Sequence, residues 1–274
     1  MLPNKTFLIT GISDSNSLAC TIAKEIINQG GKVVCAGLGF TEHHKGLSDR
    51  AMSYLDKNYQ DFEQAVISEL GQEIARFKLD VSLEESTIGF AKELEQSGIK
   101  LDGFLHSIAM DKTIRNKSVK NVLDVTANEF CDTMKVSAYS LISLSRSLLN
   151  SDALNRGFSV VSLSYIAAER SAFHPYKNIS IAKAALERIT KELAVELGRS
   201  HQARINAIRF SPFLNSKAGG ATLTTDHFDF SNSKSPLGNA LPIDLANEVV
   251  HLFRSGNRIT GEVRHVDGGY HILG

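Results

Sequence analysis

The sequence predicts an α/β protein: a doubly wound parallel sheet with helices on both faces. Three observations predict it. Short apolar runs of strand length alternate with stretches of helical period along most of the chain. The first run ends at Gly11 and leads through small polar residues into a helix, the layout of a Rossmann-type dinucleotide turn. No Pro/Ser linker, repeat or low-complexity tract interrupts the 274 residues, so 1–274 reads as one domain.

Taken in order, Thr6–Thr10 is an apolar run of the kind a strand buried on both faces needs. From Leu18 to Gln29, Leu18, Ile22 and Ile26 form a helical stripe with Ala19, Ala23 and Ile27 beside it, and Gly30-Gly31 ends it. Lys32–Ala36 is the second strand. Thr41–Gln72 is a connection of about thirty residues, helical over Tyr54–Leu70. Strands follow at Ala75–Val81, Leu101–Ser107, Gly157–Leu163 and Arg204–Phe210. Helices separate them at Leu83–Gln96, Ala127–Leu149 and Ile179–Gly198. Lys217–Pro236 is rich in Gly, Thr and Ser with few periodic apolar positions. It is the candidate lid, within a mobile substrate-loop region at about 211–236.

Composition excludes several classes. With 42% hydrophobic and 22% charged residues the chain can bury a sizeable core. Thirty basic residues balance thirty acidic ones, so no global field draws nucleic acid or an anionic membrane. No run of eighteen apolar residues is present, and Phe7-Leu8-Ile9 is too short for a signal peptide. Cys20, Cys35 and Cys131 show no paired spacing and read as reduced, buried thiols of a cytoplasmic protein. The histidines show no metal-ligand spacing, so no metal is expected. His43, His44 and Lys45 read as a solvated patch; Glu187, Glu192 and Glu196 read as the wet or subunit-facing side of their helix.

The turn Gly11-Ile12-Ser13-Asp14-Ser15-Asn16-Ser17 keeps one glycine of a dinucleotide fingerprint, with Ser17 and Ala19 supplying smallness. A helix capped by Asp14 or Ser15 fits it as well. The second strand ends without a basic residue to hold a ribose phosphate. That favours NADH and leaves NADPH open. Tyr176 and Lys183 are seven apart, roughly 700° of helix, and so share one face. An ammonium beside a phenol lowers the phenol's pKa and suits it to an oxygen that gains charge during reaction. His106 reads as a packed, hydrogen-bonded strand residue. Phe210, Phe213, Phe228 and Phe230 read as the lining of an apolar channel, and core packing explains the first as well.

These residues resemble the short-chain dehydrogenase/reductase superfamily, and within it the bacterial NADH-dependent enoyl-acyl-carrier-protein reductases. The matches are Gly11, Ser17 and Ala19; Asp80-Val81; and His106-Ser107-Ile108-Ala109, where ordinary members carry an Asn-Asn-Ala-Gly type sequence. They continue through Leu163-Ser164-Tyr165-Ile166-Ala167-Ala168-Glu169-Arg170, Tyr176 with Lys183, Asn206-Ala207-Ile208, Gly261-Glu262-Val263 and Val266-Asp267-Gly268-Gly269. The resemblance implies that Gly11, Ser17, Leu18, Leu38, Asp80, Val81, Ile108, Phe213 and Asn215 line the NADH site, with Lys183 on the nicotinamide ribose. It also implies that Tyr176 donates to the thioester carbonyl of an enoyl chain on acyl carrier protein, and that Tyr165 is the second active-site tyrosine. Asp111, on a strand-end loop, reads equally as a substrate residue near the implied acyl entrance and as a solvated loop carboxylate. A homotetramer in fatty acid or specialised acyl biosynthesis is implied as well.

The chain departs from the family pattern in four places. Tyr165 and Tyr176 are eleven apart, one more than usual, through an insertion at or near Ala172-Phe173-His174. Phe210-Ser211-Pro212-Phe213-Leu214-Asn215 stands where Ala-Gly-Pro-Ile-Arg-Thr is usual. The Thr41–Gln72 connection is longer, and Leu38 replaces a polar adenosine contact. Two other readings stay open. An ordinary carbonyl or 3-ketoacyl reductase wants a serine about thirteen residues before the tyrosine; Ser162 and Ser164 flank that place and Leu163 fills it. A dinucleotide-binding scaffold without turnover is the other.

Overall fold

A computed structural model describes residues 1–115, 118–172 and 176–273. Its main sheet comprises β1 (Thr6–Thr10), β2 (Lys32–Gly37), β3 (Arg76–Lys78), β4 (Leu101–His106), β7 (Leu154–Ser164), β8 (Arg204–Phe210) and β9 (Val263–Val266). A hairpin of β5 (Ile114–Arg115) and β6 (Ser118–Val119) stands apart from it. The sheet order is β3-β2-β1-β4-β7-β8-β9, with every pairing parallel. Strand order reverses between β1 and β4, and the carboxyl ends of those strands open the crevice in which such sheets bind ligands.

Period-two alternation divides the core. In β1, Phe7 and Ile9 face one side and Leu8 the other. The first side is covered by α1 (Leu18–Asn28), α2 (Asp49–Leu70) and α9 (Pro242–Phe253), with Phe7 stacked on Phe253 at 4.4 Å between centroids. The second is covered by α3 (Glu84–Gln96), α5 (Ser140–Asn150) and α6 (Lys177–His201) around Phe90, Phe104, Leu144 and Leu186. Each fully buried aliphatic or aromatic side chain contributes about 1.5–3 kcal/mol. Both layers are needed, because each strand carries apolar residues on both faces.

The structure corrects several boundaries. The third strand is three residues long, since the chain past Lys78 turns to place Asp80. The helix expected over Ala127–Leu149 is instead α4 (Ala127–Met134), a π turn at Lys135–Tyr139, and α5. Within that wide turn the Ser137 hydroxyl donates to Met110 O (3.1 Å) and accepts from Met110 N (3.0 Å), tying it to the segment after β4. The lid region contains two helices, α7 (Lys217–Thr222) and α8 (Thr225–Lys234), the second started by a Thr224–His227 capping box. Cys20 and Cys35 are buried, which pushes their thiols up to about 11 and about 12, but Cys131 is exposed. Of the segment expected to carry the insertion, Phe173 and His174 lie outside the described residues.

Candidate active site

The crevice begins at Gly11. Its φ is +88°, and a Cβ there would lie 1.9 Å from Ser107 O, so no other residue fits between the ends of β1 and β4. The turn that follows is held from within. Asp14 Oδ1 accepts from Asn16 N (2.9 Å), and Ser17 Oγ donates to Asp14 O (2.8 Å). Neither Asp14 nor Ser15 caps α1. Ser17 occupies the N-cap with its hydroxyl turned back to Asp14 O and accepting from no helix amide, so the helix dipole and first amides are open to an external acceptor. A glycine-only approach beside an uncapped helix start fits a dinucleotide diphosphate.

On the adenosine side, Leu38 is half-buried after β2 and Val81 is buried. Asp80 Oδ1 accepts from Ser82 N (2.8 Å), and Asp80 Oδ2 lies 3.1 Å from His44 Nε2. At the other ring nitrogen, His44 Nδ1 accepts from Thr41 N (3.1 Å), which fixes the ring with Nε2 toward the carboxylate. The solvated patch expected at His43–Lys45 is corrected here, because the His44 side chain is only 5% exposed.

The other end of the crevice holds the tyrosines and the lysine. Lys183, buried on α6, donates to Leu163 O (2.8 Å) and Ile108 O (3.3 Å), bridging the ends of β7 and β4. Burial lowers its pKa to about 8, against a smaller opposing pull from Glu187. Tyr176 is partly buried at the N-cap of α6, and Tyr165 is buried after β7. Their rings meet edge to face, 5.2 Å between centroids. Burial pushes both phenols up; at Tyr176 a hydrogen bond with the Thr222 side chain, at the end of α7, opposes it. The expected lowering of the Tyr176 phenol by Lys183 is therefore not what governs it, since the ammonium is engaged by two carbonyls.

Around this pair, Asn178 Nδ2 donates to Thr133 Oγ1 (3.0 Å), and Thr133 Oγ1 in turn donates to Asp111 Oδ1 (3.3 Å). Asp111 Oδ1 also accepts from Thr113 N (2.8 Å), while its buried Oδ2 has no hydrogen-bond partner. His106 is buried, its Nε2 2.7 Å from Ser140 Oγ, and burial and the Lys183 charge hold it neutral with a pKa near about 3. The flanking serines point elsewhere: Ser164 Oγ donates to Glu187 Oε1 (2.6 Å), and Ser162 Oγ lies 3.3 Å from Thr190 Oγ1.

Sequence reasoning missed two groupings. Glu187, expected on the wet or subunit-facing side of its helix, is buried against β8 and paired with Arg209 through Nε (2.8 Å) and Nη2 (2.6 Å), and Arg209 Nη1 reaches Glu169. No spacing in the sequence pairs Arg209 on β8 with Glu187 on α6. His265, Asp267 and His271 also converge, their ligand atoms all within 4.8 Å of one another. Arg209 Nη1 lies 3.4 Å from His265 Nε2, a fixed positive charge beside them, and Asp267 is already spent on Gly269 N and His271 N.

In the altered segment, Ser211 is buried and its hydroxyl accepts from Ala240 N (2.9 Å), so it anchors the approach to α9. Phe210 joins the core, Phe213 packs against its edge, and Asn215 is exposed.

A sequence model described as enoyl-(acyl carrier protein) reductase matches residues 41–271. The chain is 35% identical to the enoyl-acyl-carrier-protein reductase (NADH) FabI of Aquifex aeolicus, over 100% of this chain and 94% of that one. It is 29% identical to the protein of that name from Rickettsia typhi, over 100% and 97%. Among solved structures, that of the Aquifex aeolicus enzyme superposes with a TM-score of 0.83 at 31% identity, covering 100% of this chain and 98% of that one. A FabI–NADH complex from Alistipes finegoldii gives 0.79 at 28% identity, covering 100% and 90%. On the length and strength of these matches, the chain belongs to the enoyl-acyl-carrier-protein reductase family of short-chain dehydrogenase/reductases.

Proposed function

We propose that this protein reduces trans-2-enoyl thioesters on acyl carrier protein, with NADH as reductant. The observation that carries this is the contact of Tyr165 with Tyr176 at the head of α6, the helix whose Lys183 bridges the ends of β7 and β4 at the carboxyl edge of the sheet. Gly11, Ser17 and Leu18 would hold the diphosphate. Leu38, Asp80 and Val81 would flank the adenosine, Ile108, Phe213 and Asn215 the nicotinamide side, and Lys183 the ribose. Bound NADH supplies the hydride delivered to the β-carbon. Tyr176 donates a hydrogen bond to the thioester oxygen as it gains charge, and its raised pKa keeps the proton in place to be given. Tyr165 packs against that ring and fixes its orientation. Thr222 yields the phenol to the substrate when the acyl chain enters past Asp111, under the 211–236 loop.

A 3-ketoacyl reductase would need a serine hydroxyl facing Tyr176, and Ser162 and Ser164 are turned to other partners. The apolar surface around Cys131, Met134, Ala138 and Ile189 on α4, the π turn and α6 supports helix-mediated association into a homotetramer. No helix among the described residues is long and apolar enough to cross a membrane, in keeping with a cytoplasmic enzyme. Purified protein given NADH with crotonyl or acetoacetyl thioester decides the activity. Oxidation of NADH with crotonyl thioester is expected, and turnover of only the keto substrate would overturn the assignment.

A further inference from the structure

We propose that Lys217 is the counter-ion of the cofactor's diphosphate, brought onto it by the lid. Lys217 opens α7, and its Nζ donates to Ser13 O (3.2 Å) inside the Gly11–Ser17 turn and pairs with Asp61 Oδ2 (2.9 Å) on α2. Among the described residues it is the one lysine or arginine hydrogen-bonded to that turn. The turn itself carries a single charged side chain, Asp14, of the wrong sign for a phosphate. The first turn of α1 adds no acidic residue and no cation. The nearest basic residues in sequence are committed elsewhere, Lys5 to Asp102 (2.8 Å) and Lys24 to Glu69.

A doubly charged diphosphate in this cradle would thus meet backbone dipoles, a like-charged carboxylate, and Lys217. The Lys217–Asp61 pair is roughly half exposed on both sides, so giving up Asp61 costs little. Exchange of Asp61 for phosphate oxygen would seat α7 on the cofactor, with Thr222 at its other end over Tyr176. Nucleotide binding and lid position become one event.

The inference rests on the nicotinamide-cofactor reading, and a binary titration separates the two. NADH fluorescence is titrated against wild type, Lys217→Met, Lys217→Arg and Asp61→Asn at several salt concentrations. Lys217→Met should weaken NADH about tenfold and flatten the salt dependence, Lys217→Arg should stay near wild type, and Asp61→Asn should tighten binding about twofold. Unchanged affinity and salt slope in Lys217→Met, or an equal loss in Lys217→Arg, would overturn the proposal. A wild type that binds NADH yet reduces no enoyl thioester would refute the activity and leave this titration valid.

Discussion

Tyr165 and Tyr176 stand at 83° to each other, rings 5.2 Å apart, although eleven positions separate them. A short 3-10 turn at Ile166–Ala168 draws the chain back after β7, and Arg209 grips Glu169 at its end.

Removing one hydroxyl at a time separates the two phenols. Tyr176→Phe should lower kcat with crotonyl thioester about a hundredfold or more, with NADH affinity unchanged. Tyr165→Phe keeps the ring contact and should cost far less. Steady-state rates beside fluorescence titration read both, and an equal loss in the two variants would show a shared proton-donor role.

Lys183 carries a pH signature. Its pKa falls from 10.5 to about 8 through burial, so the free protein loses this ammonium as pH rises past about 8. NADH affinity should therefore be full below that pH and weaken above it, and Lys183→Met should be weak and flat across the range. For this group alone the unfolded chain binds more protons between about 8 and 10.5, so stability moves the opposite way, rising with pH there.

Arg209 links β8, α6 and the Tyr165 turn, and its side chain and that of Glu187 are 7% and 9% exposed. Arg209→Met leaves a buried carboxylate unpaired and should cost about 3–5 kcal/mol in urea denaturation. Adding Glu187→Gln should restore a substantial part of that loss, because the stranded charge is gone.

Gly219 sits in α7 where a Cβ would lie 1.8 Å from Phe213 O. Gly219→Ala should loosen the lid without touching the core: limited proteolysis should cut within 211–236 faster, while the thermal midpoint stays within about 2 °C, as for a change outside the packed layers.

The strands and helices that carry the sheet were legible because burial on both faces leaves continuous apolar runs such as Thr6–Thr10, and amphipathic helices leave stripes such as Leu18, Ile22 and Ile26. β9 was not, because Val263-Arg-His-Val266 lies at the sheet edge and is only partly buried, so it lacks such a run. α9 was passed over although Pro242 marks its first turn and Leu245, Val249 and Leu252 its buried face. The lid helices were invisible for a different reason: glycine and threonine disguise α7, and α8 has little one-sided character.

For the site, the spacing argument placed Tyr176 and Lys183 on one helix face, whereas Tyr176 is the N-cap of α6 and only Lys183 lies within the helix. Contacts made across the fold were not readable. The burial of Glu187 depends on an arginine on β8, and that of His44 on a carboxylate thirty-six positions away. Residue type alone favours solvent for both, and only tertiary pairing reverses it.

The wide turn at Lys135–Tyr139 holds one residue more than a regular helix would over the same rise. Deleting a single position there would swing all of α4 by about 100° around its axis. Thr133 would leave Asn178 and Asp111, and the core residues Val136 and Ala138 would shift with the turn. Such a shortened protein should melt lower as well as lose turnover, because one peptide unit serves both the packed layer and the Asp111 cluster.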